Sequence, residues 1–92
     1  MSERAVETMR PQDRATHAEA LRRNPLLALL LTAMREDCIA TWQSGSSTGQ
    51  REEQWMRLQV LRDFEGRIQR ALDDGKLADG RKERARRMDA MR

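Results

Sequence analysis

The amino-acid sequence predicts an all-α fold: an antiparallel helical hairpin of two long helices, with a short helix before it and a basic helical tail after it. Apolar side chains recur at three- and four-residue steps in two segments, which is the spacing of one helix face. Charged residues make up 36% of the chain and aromatic residues only 3%, a composition typical of solvated helices rather than of sheets. The loop of residues 44–49 between the two segments is short enough to make the helices antiparallel neighbours.

These patterns divide the chain into three regions. Residues 1–11 are expected to form a flexible N-terminal arm, residues 12–80 the helical hairpin domain and residues 81–92 a basic helical tail. A chain of 92 residues can form one small domain whose core is modest. We therefore expect it to need additional packing from its own ends or from a partner.

The first long helix is predicted to begin at Pro25, after a short helix over residues 12–23. Asn24 is a good N-cap, and proline suits the first helical position because its missing N–H would be unpaired there anyway. The next two turns are apolar on nearly all sides, so Leu26 or Leu29 should contact something other than the second arm. Cys38 lies in the apolar stripe and is interpreted as a core residue.

The second long helix is predicted to run from about Gln50 to Asp73 or Asp74. Ser47 and Gln50 form a possible capping box at its start. At its end, Gly75 suits the left-handed position that commonly follows a helix. The pairs Glu53 with Arg57 and Asp63 with Arg67 have favourable four-residue spacing.

Gly66 interrupts the interior of this helix and has two interpretations. It marks either the close approach of another backbone or a harmless surface position, since glycine in a helix costs about 1 kcal/mol relative to alanine. The sequence does not decide between them.

The predicted protein-interaction residues are the large apolar side chains of both long helices. Trp42 and Trp55 would meet at the tip of the hairpin, either as a core cluster, which we favour, or as an exposed binding hot spot. The full set is Leu26, Leu29, Leu30, Met34, Trp42, Trp55, Leu58, Leu61, Phe64 and Ile68.

The tail, residues 81–92, carries six basic residues against two acids. One interpretation is contact with nucleic-acid phosphates or with an acidic partner. The other, which we favour, is a solubilising helical end, because Glu83 and Asp89 dilute the positive charge and no aromatic residue is present to stack on bases. The candidate contact residues are Arg81, Lys82, Arg84, Arg86 and Arg87.

No pattern in the sequence indicates catalysis or a bound cofactor. His17 is the only histidine and lacks neighbours at metal-ligand spacing, so the sequence predicts no metal site. The adjacent carboxylates 52–53 and 73–74 diverge in direction on a helix and suit helix ends better than acid–base catalysis. We expect no enzyme activity, no cofactor, no small-molecule substrate and no membrane span, since the apolar run of residues 25–34 is far shorter than the ~20 residues required.

Four short runs resemble a group of small helical proteins encoded in tailed bacteriophage and prophage genomes, among head-assembly and packaging genes. The runs are Leu21-x-x-Asn24-Pro25-Leu26-Leu27, Cys38-Ile39-Ala40-Thr41-Trp42, Gln50-Arg51-Glu52-Glu53-Gln54-Trp55 and Gly75-Lys76-Leu77-Ala78. The resemblance covers roughly residues 18–78 and supplies no catalytic residues. It implies a non-enzymatic phage structural or assembly protein, located in the virion or the host cytoplasm.

The expected partners are other copies of the chain or a capsid, portal or other virion component. Two alternatives remain open from the residues. One is a small DNA-associated or regulatory protein that uses the basic tail, and the other is a phage-encoded inhibitor of a host protein.

Overall fold

A computed structural model describes residues 3–45 and 47–92. These residues form four helices and no strand: α1 (Glu3–Thr8), α2 (Pro11–Arg23), α3 (Pro25–Gln43) and α4 (Thr48–Ala90). The prediction of an all-α fold is confirmed. Residues 1, 2 and 46, which belong to the predicted flexible arm and the predicted loop, lie outside the described residues.

Both predicted helix starts are confirmed. The Asn24 side-chain oxygen accepts hydrogen bonds from the backbone N–H groups of Leu26, at 3.0 Å, and Leu27, at 3.2 Å, and Pro25 is the first residue of α3. At the start of α4, the Ser47 hydroxyl accepts from the Gln50 N–H at 3.3 Å, and the Gln50 side chain accepts from the Ser47 N–H at 3.1 Å. The reciprocal pair is a capping box, which satisfies two donors that a helix start leaves unpaired.

The predicted short helix over residues 12–23 is present as α2, and α1 lies within the segment predicted as an arm. Both predicted four-residue ion pairs also form on α4. Arg57 donates to Glu53 at 2.8 Å, and Arg67 donates to Asp63 at 2.9 Å. All four side chains are more than half exposed, so each pair contributes only about 0.3–0.5 kcal/mol.

The predicted end of the second long helix is wrong. Helix α4 continues through Asp73, Gly75 and Gly80 to Ala90, so the basic tail is its last turns rather than a separate helix. Within the described residues only Gly45 has a positive φ, of 78°, and Gly75 therefore does not end a helix. A lone glycine after acidic residues is compatible with a helix end and with a close contact between two helices. Gly75 lies inside α4 and makes such a contact.

The chain divides into two compact units. The first unit combines the described residues up to 21 with residues 68–92. In it α2 crosses α4 at Gly75: a β-carbon placed on Gly75 would overlap the β-carbon of Ala15 and lie 3.4 Å from the Pro11 carbonyl oxygen. Ala18 and Leu72 are buried nearby in sequence on the two helices. Small residues thus let two backbones approach closely.

The second unit comprises residues 22–67 and contains α3 and the first part of α4. Its buried side chains are Cys38, Gln54 and Leu61, which confirms that Cys38 is a core residue. An ion pair joins Arg35 of α3 to Glu65 of α4. No described atom lies within 4 Å of a β-carbon built on Gly66, so Gly66 is a surface position.

Candidate protein interface

The N-terminal turns of α3 present large apolar side chains to solvent. Leu26, Leu30 and Met34 are each more than half exposed, and Leu29 is 68% exposed. The Asn24 cap and Pro25 hold the start of this helix in place. Exposed apolar surface of this extent is typical of interaction sites rather than of the surface of a monomer.

Helix α4 contributes a second set of exposed apolar side chains within the same unit. Met56 is 62% exposed and Val60 68% exposed, and Phe64 is also exposed. These three residues follow each other at four-residue steps and so lie on one side of the helix. Met56 and Val60 are absent from the predicted interaction residues, although both are more exposed than Phe64, which is one of them.

A groove of about 520 Å³ runs between these two helices. From α3 it is lined by Met34, Asp37, Cys38 and Thr41, and from α4 by Glu53, Gln54, Met56, Arg57, Val60 and Leu61. Three of these residues, Cys38, Gln54 and Leu61, are buried. Met34, Met56 and Val60 are the exposed apolar residues of the groove, and we call them its walls. Methionine-lined surfaces adapt readily to different apolar partners.

The charged groups of the groove are not fully compensated. Glu53 is paired with Arg57, but Asp37 is an exposed carboxylate without an ion-pair partner among residues 3–45 and 47–92. The groove therefore combines a mainly apolar lining with one free negative charge on its exposed rim.

The ten predicted interaction residues divide by burial. Only Leu61 is buried, and Leu58 and Ile68 are half-buried. The remaining members are exposed: Leu26, Leu29, Leu30, Met34, Trp42, Trp55 and Phe64. Since Trp42 and Trp55 are both exposed, neither forms a closed tip cluster within this chain.

All five predicted tail residues, Arg81, Lys82, Arg84, Arg86 and Arg87, are exposed. Arg87 donates to Glu83 at 2.9 Å, which reduces the free positive charge as expected from the interleaved acids. The tail also exposes Met88 and, directly after the end of α4, Met91. The tail is therefore apolar as well as basic.

Other sites are inconspicuous in the part of the chain that the structure describes. His17 is exposed, and no group of three or more potential metal-ligating side chains occurs there. None of the described helices combines the length and apolar character needed to cross a membrane.

Compared with known proteins, the chain matches no protein-family model, no curated protein and no solved structure at a significant level.

Proposed function

We propose that this chain is a non-enzymatic assembly protein that acts through its helices, by association with further copies of itself or by docking on a larger protein structure. The observation that carries the proposal is the exposed apolar surface of α3 and α4, including Leu26, Leu29 and Val60. Covering such side chains is favourable by about 25 cal/mol per Å² of apolar surface. Exposing apolar side chains to water is unfavourable, and a large exposed apolar surface is typical of a site that binds a partner.

In this proposal α3 and the first part of α4 are the two antiparallel arms of a hairpin. The pairing of Arg35 with Glu65 and the shared groove of residues 34–41 and 53–61 support this arrangement, because residues late in α3 then face residues early in α4. The hairpin presents its apolar side to the partner.

The proposed setting is the assembly of a phage particle, in the virion or the host cytoplasm. This part of the proposal derives from the resemblance of the four sequence runs to phage and prophage proteins. The partner would then be a second copy, a capsid protein, a portal protein or another virion component.

The test is the mass of the purified chain in solution over a wide concentration range, by sedimentation velocity or light scattering. Self-association predicts a mass that rises with concentration and a melting temperature that rises with it, because association stabilises only the folded state. A monomer at every concentration that melts cooperatively would contradict self-association. Binding of defined virion components to that monomer would then test the docking form.

A second candidate function, contact with nucleic acid, is supported by the exposed cations of the tail. Phosphate contacts predict binding that weakens steeply with salt. The measurement is a salt titration of DNA binding by the intact chain and by a variant in which Arg81, Lys82, Arg84 and Arg86 are replaced by glutamine. Equal, negligible binding by both proteins would exclude this function.

A further inference from the structure

The last turns of α4 carry an exposed face that combines apolar and cationic side chains. Residues 77, 81, 84 and 88 recur at steps of four and three and so share one side of the helix. Met91 follows at the next three-residue step, in the turn directly after Ala90. Leu77, Met88 and Met91 are exposed, with Met91 at 87%. Arg81 and Arg84 have no ion-pair partner within the described ranges 3–45 and 47–92.

The groove of the second unit has the complementary chemistry. Its walls expose Met34, Met56 and Val60, which suit thioether side chains. Its rim carries the free carboxylate of Asp37. A helix that fills this groove should therefore present methionine or similar side chains, with a cation about one turn away.

We propose that the groove of one copy binds the tail of a second copy, with Met88 and Met91 against the groove walls and Arg84 beside Asp37. Arg84 precedes Met88 by four residues, which is one helical turn. We assign the tail to another chain because residues 53–61 and 81–90 belong to one continuous helix, and distant turns of one helix cannot pack on each other. This inference rests on the proposed self-association and names one pair of its contact surfaces.

A contact between two different surfaces is heterologous, so each copy has one free groove and one free tail after binding. Such contacts form a closed ring if the rotation between copies permits it, and otherwise an open filament. Three helical turns in a groove form a small interface, and affinities of about micromolar strength are expected. The assembly should therefore form at high local concentration.

The first experiment identifies the contact by site-specific photocrosslinking of the full chain. The photoreactive residue benzoylphenylalanine replaces Met88 in one variant and, as a matched control, Arg86 in another, because position 86 lies on the other side of the helix. The expected product is a covalent dimer in which position 88 is linked to residues 34–41 or 53–61, with at least about fivefold less product from position 86. Links from position 88 to other segments, to nucleic acid or to no second copy would overturn the proposal.

The second experiment reverses the proposed charge contact. Asp37→Arg and Arg84→Asp should each weaken self-association about tenfold, since each places like charges together. A mixture of the two variants should associate again, because the groove of the first variant, now cationic at position 37, attracts the tail of the second, now anionic at position 84. The control Arg86→Asp changes the net charge as Arg84→Asp does and should leave association within about twofold.

The outcomes separate the two proposals. A wild-type chain that remains monomeric contradicts both self-association and the tail contact. A second outcome is that the wild-type chain associates and that each charge variant associates as strongly as the wild type, with no gain when the variants are mixed. That outcome contradicts the tail contact alone. The replaced side chains are exposed, and circular dichroism of each variant verifies that its helices are intact.

Discussion

Two contacts between helices, compared within the part of the chain that the structure describes, use opposite kinds of residue. Where α2 meets α4, Ala15 and Gly75 allow the two backbones to approach closely. Where α3 meets the first part of α4, the chain is far richer in large apolar side chains, yet among the described apolar residues of this unit only Cys38 and Leu61 are buried, at 6% and 7% exposure. In these two contacts, close packing of the helices depends on the size and shape of the side chains more than on how hydrophobic they are.

The comparison also separates stability from interaction. The contact of Ala15 with Gly75 is made by small residues that are packed closely together, whereas the leucine-rich start of α3 exposes Leu26, Leu29 and Leu30 to solvent. Buried residues should therefore control unfolding, and exposed apolar side chains should control association. Each of the following predictions tests one side of this division.

The largest effect is expected within the leucine-rich unit. Leu61→Ala removes a buried side chain and should lower the free energy of unfolding by about 3 kcal/mol. Leu29→Ala makes the same chemical change at a 68% exposed position and should lower it by less than about 0.5 kcal/mol. Urea unfolding at low protein concentration, followed by circular dichroism, measures both values.

The matched pair has a second readout in association. Leu29→Ala should weaken self-association if the exposed face of α3 is an interface, although it leaves the monomer stable. Equal losses of unfolding free energy in the two variants would show that Leu29 is buried in the folded chain. The division between residues that control unfolding and residues that control association would then be wrong.

A smaller effect with opposite signs is expected at two glycines of α4. Gly75→Ala introduces a β-carbon that overlaps Ala15, and the resulting overpacking should cost about 2 kcal/mol. Gly66→Ala meets no described atom within 4 Å and should stabilise by about 0.5–1 kcal/mol, because alanine is the better helix former. Thermal and urea unfolding of the two variants measure the difference.

The double variant Ala15→Gly with Gly75→Ala provides the control, because it moves the β-carbon from one helix to the other. It should recover most of the loss caused by Gly75→Ala. Stabilisation by Gly75→Ala alone would contradict the close approach of α2 and α4.

The part of the fold that could be predicted from the sequence is the part that neighbouring residues determine. The Asn24 cap and the Ser47 and Gln50 capping box each depend on hydrogen bonds between residues at most three positions apart, so their local pattern was sufficient. The role of Gly75 could not be predicted in this way, because it depends on Ala15, sixty positions earlier in the chain. A local pattern cannot distinguish a helix end from a crossing.

The candidate interface shows the same limit. The apolar stripes could be recognised from periodicity, and the burial of Cys38 followed from its place in one of them. Which side of each stripe stays exposed depends on the rotation of each helix about its own axis relative to the neighbouring helix. For this reason the predicted interaction residues do not include the exposed Met56 and Val60, and the unpaired charge of Asp37 follows only from the arrangement of the helices.

The smallest effect concerns the cap of α3, and it tests whether local structure supports the exposed leucines. Asn24→Ala removes an acceptor that pairs with two backbone N–H groups and should cost about 1 kcal/mol, whereas Asn24→Asp should retain most of the stability. Because Leu26 and Leu29 are exposed, packing contributes little to holding this first turn, and the cap should account for a large share of its order. Hydrogen exchange at the amides of residues 26–28 should therefore accelerate more than exchange at the buried Leu61. Uniform acceleration along the chain would instead mean that the start of α3 unfolds only together with the whole protein.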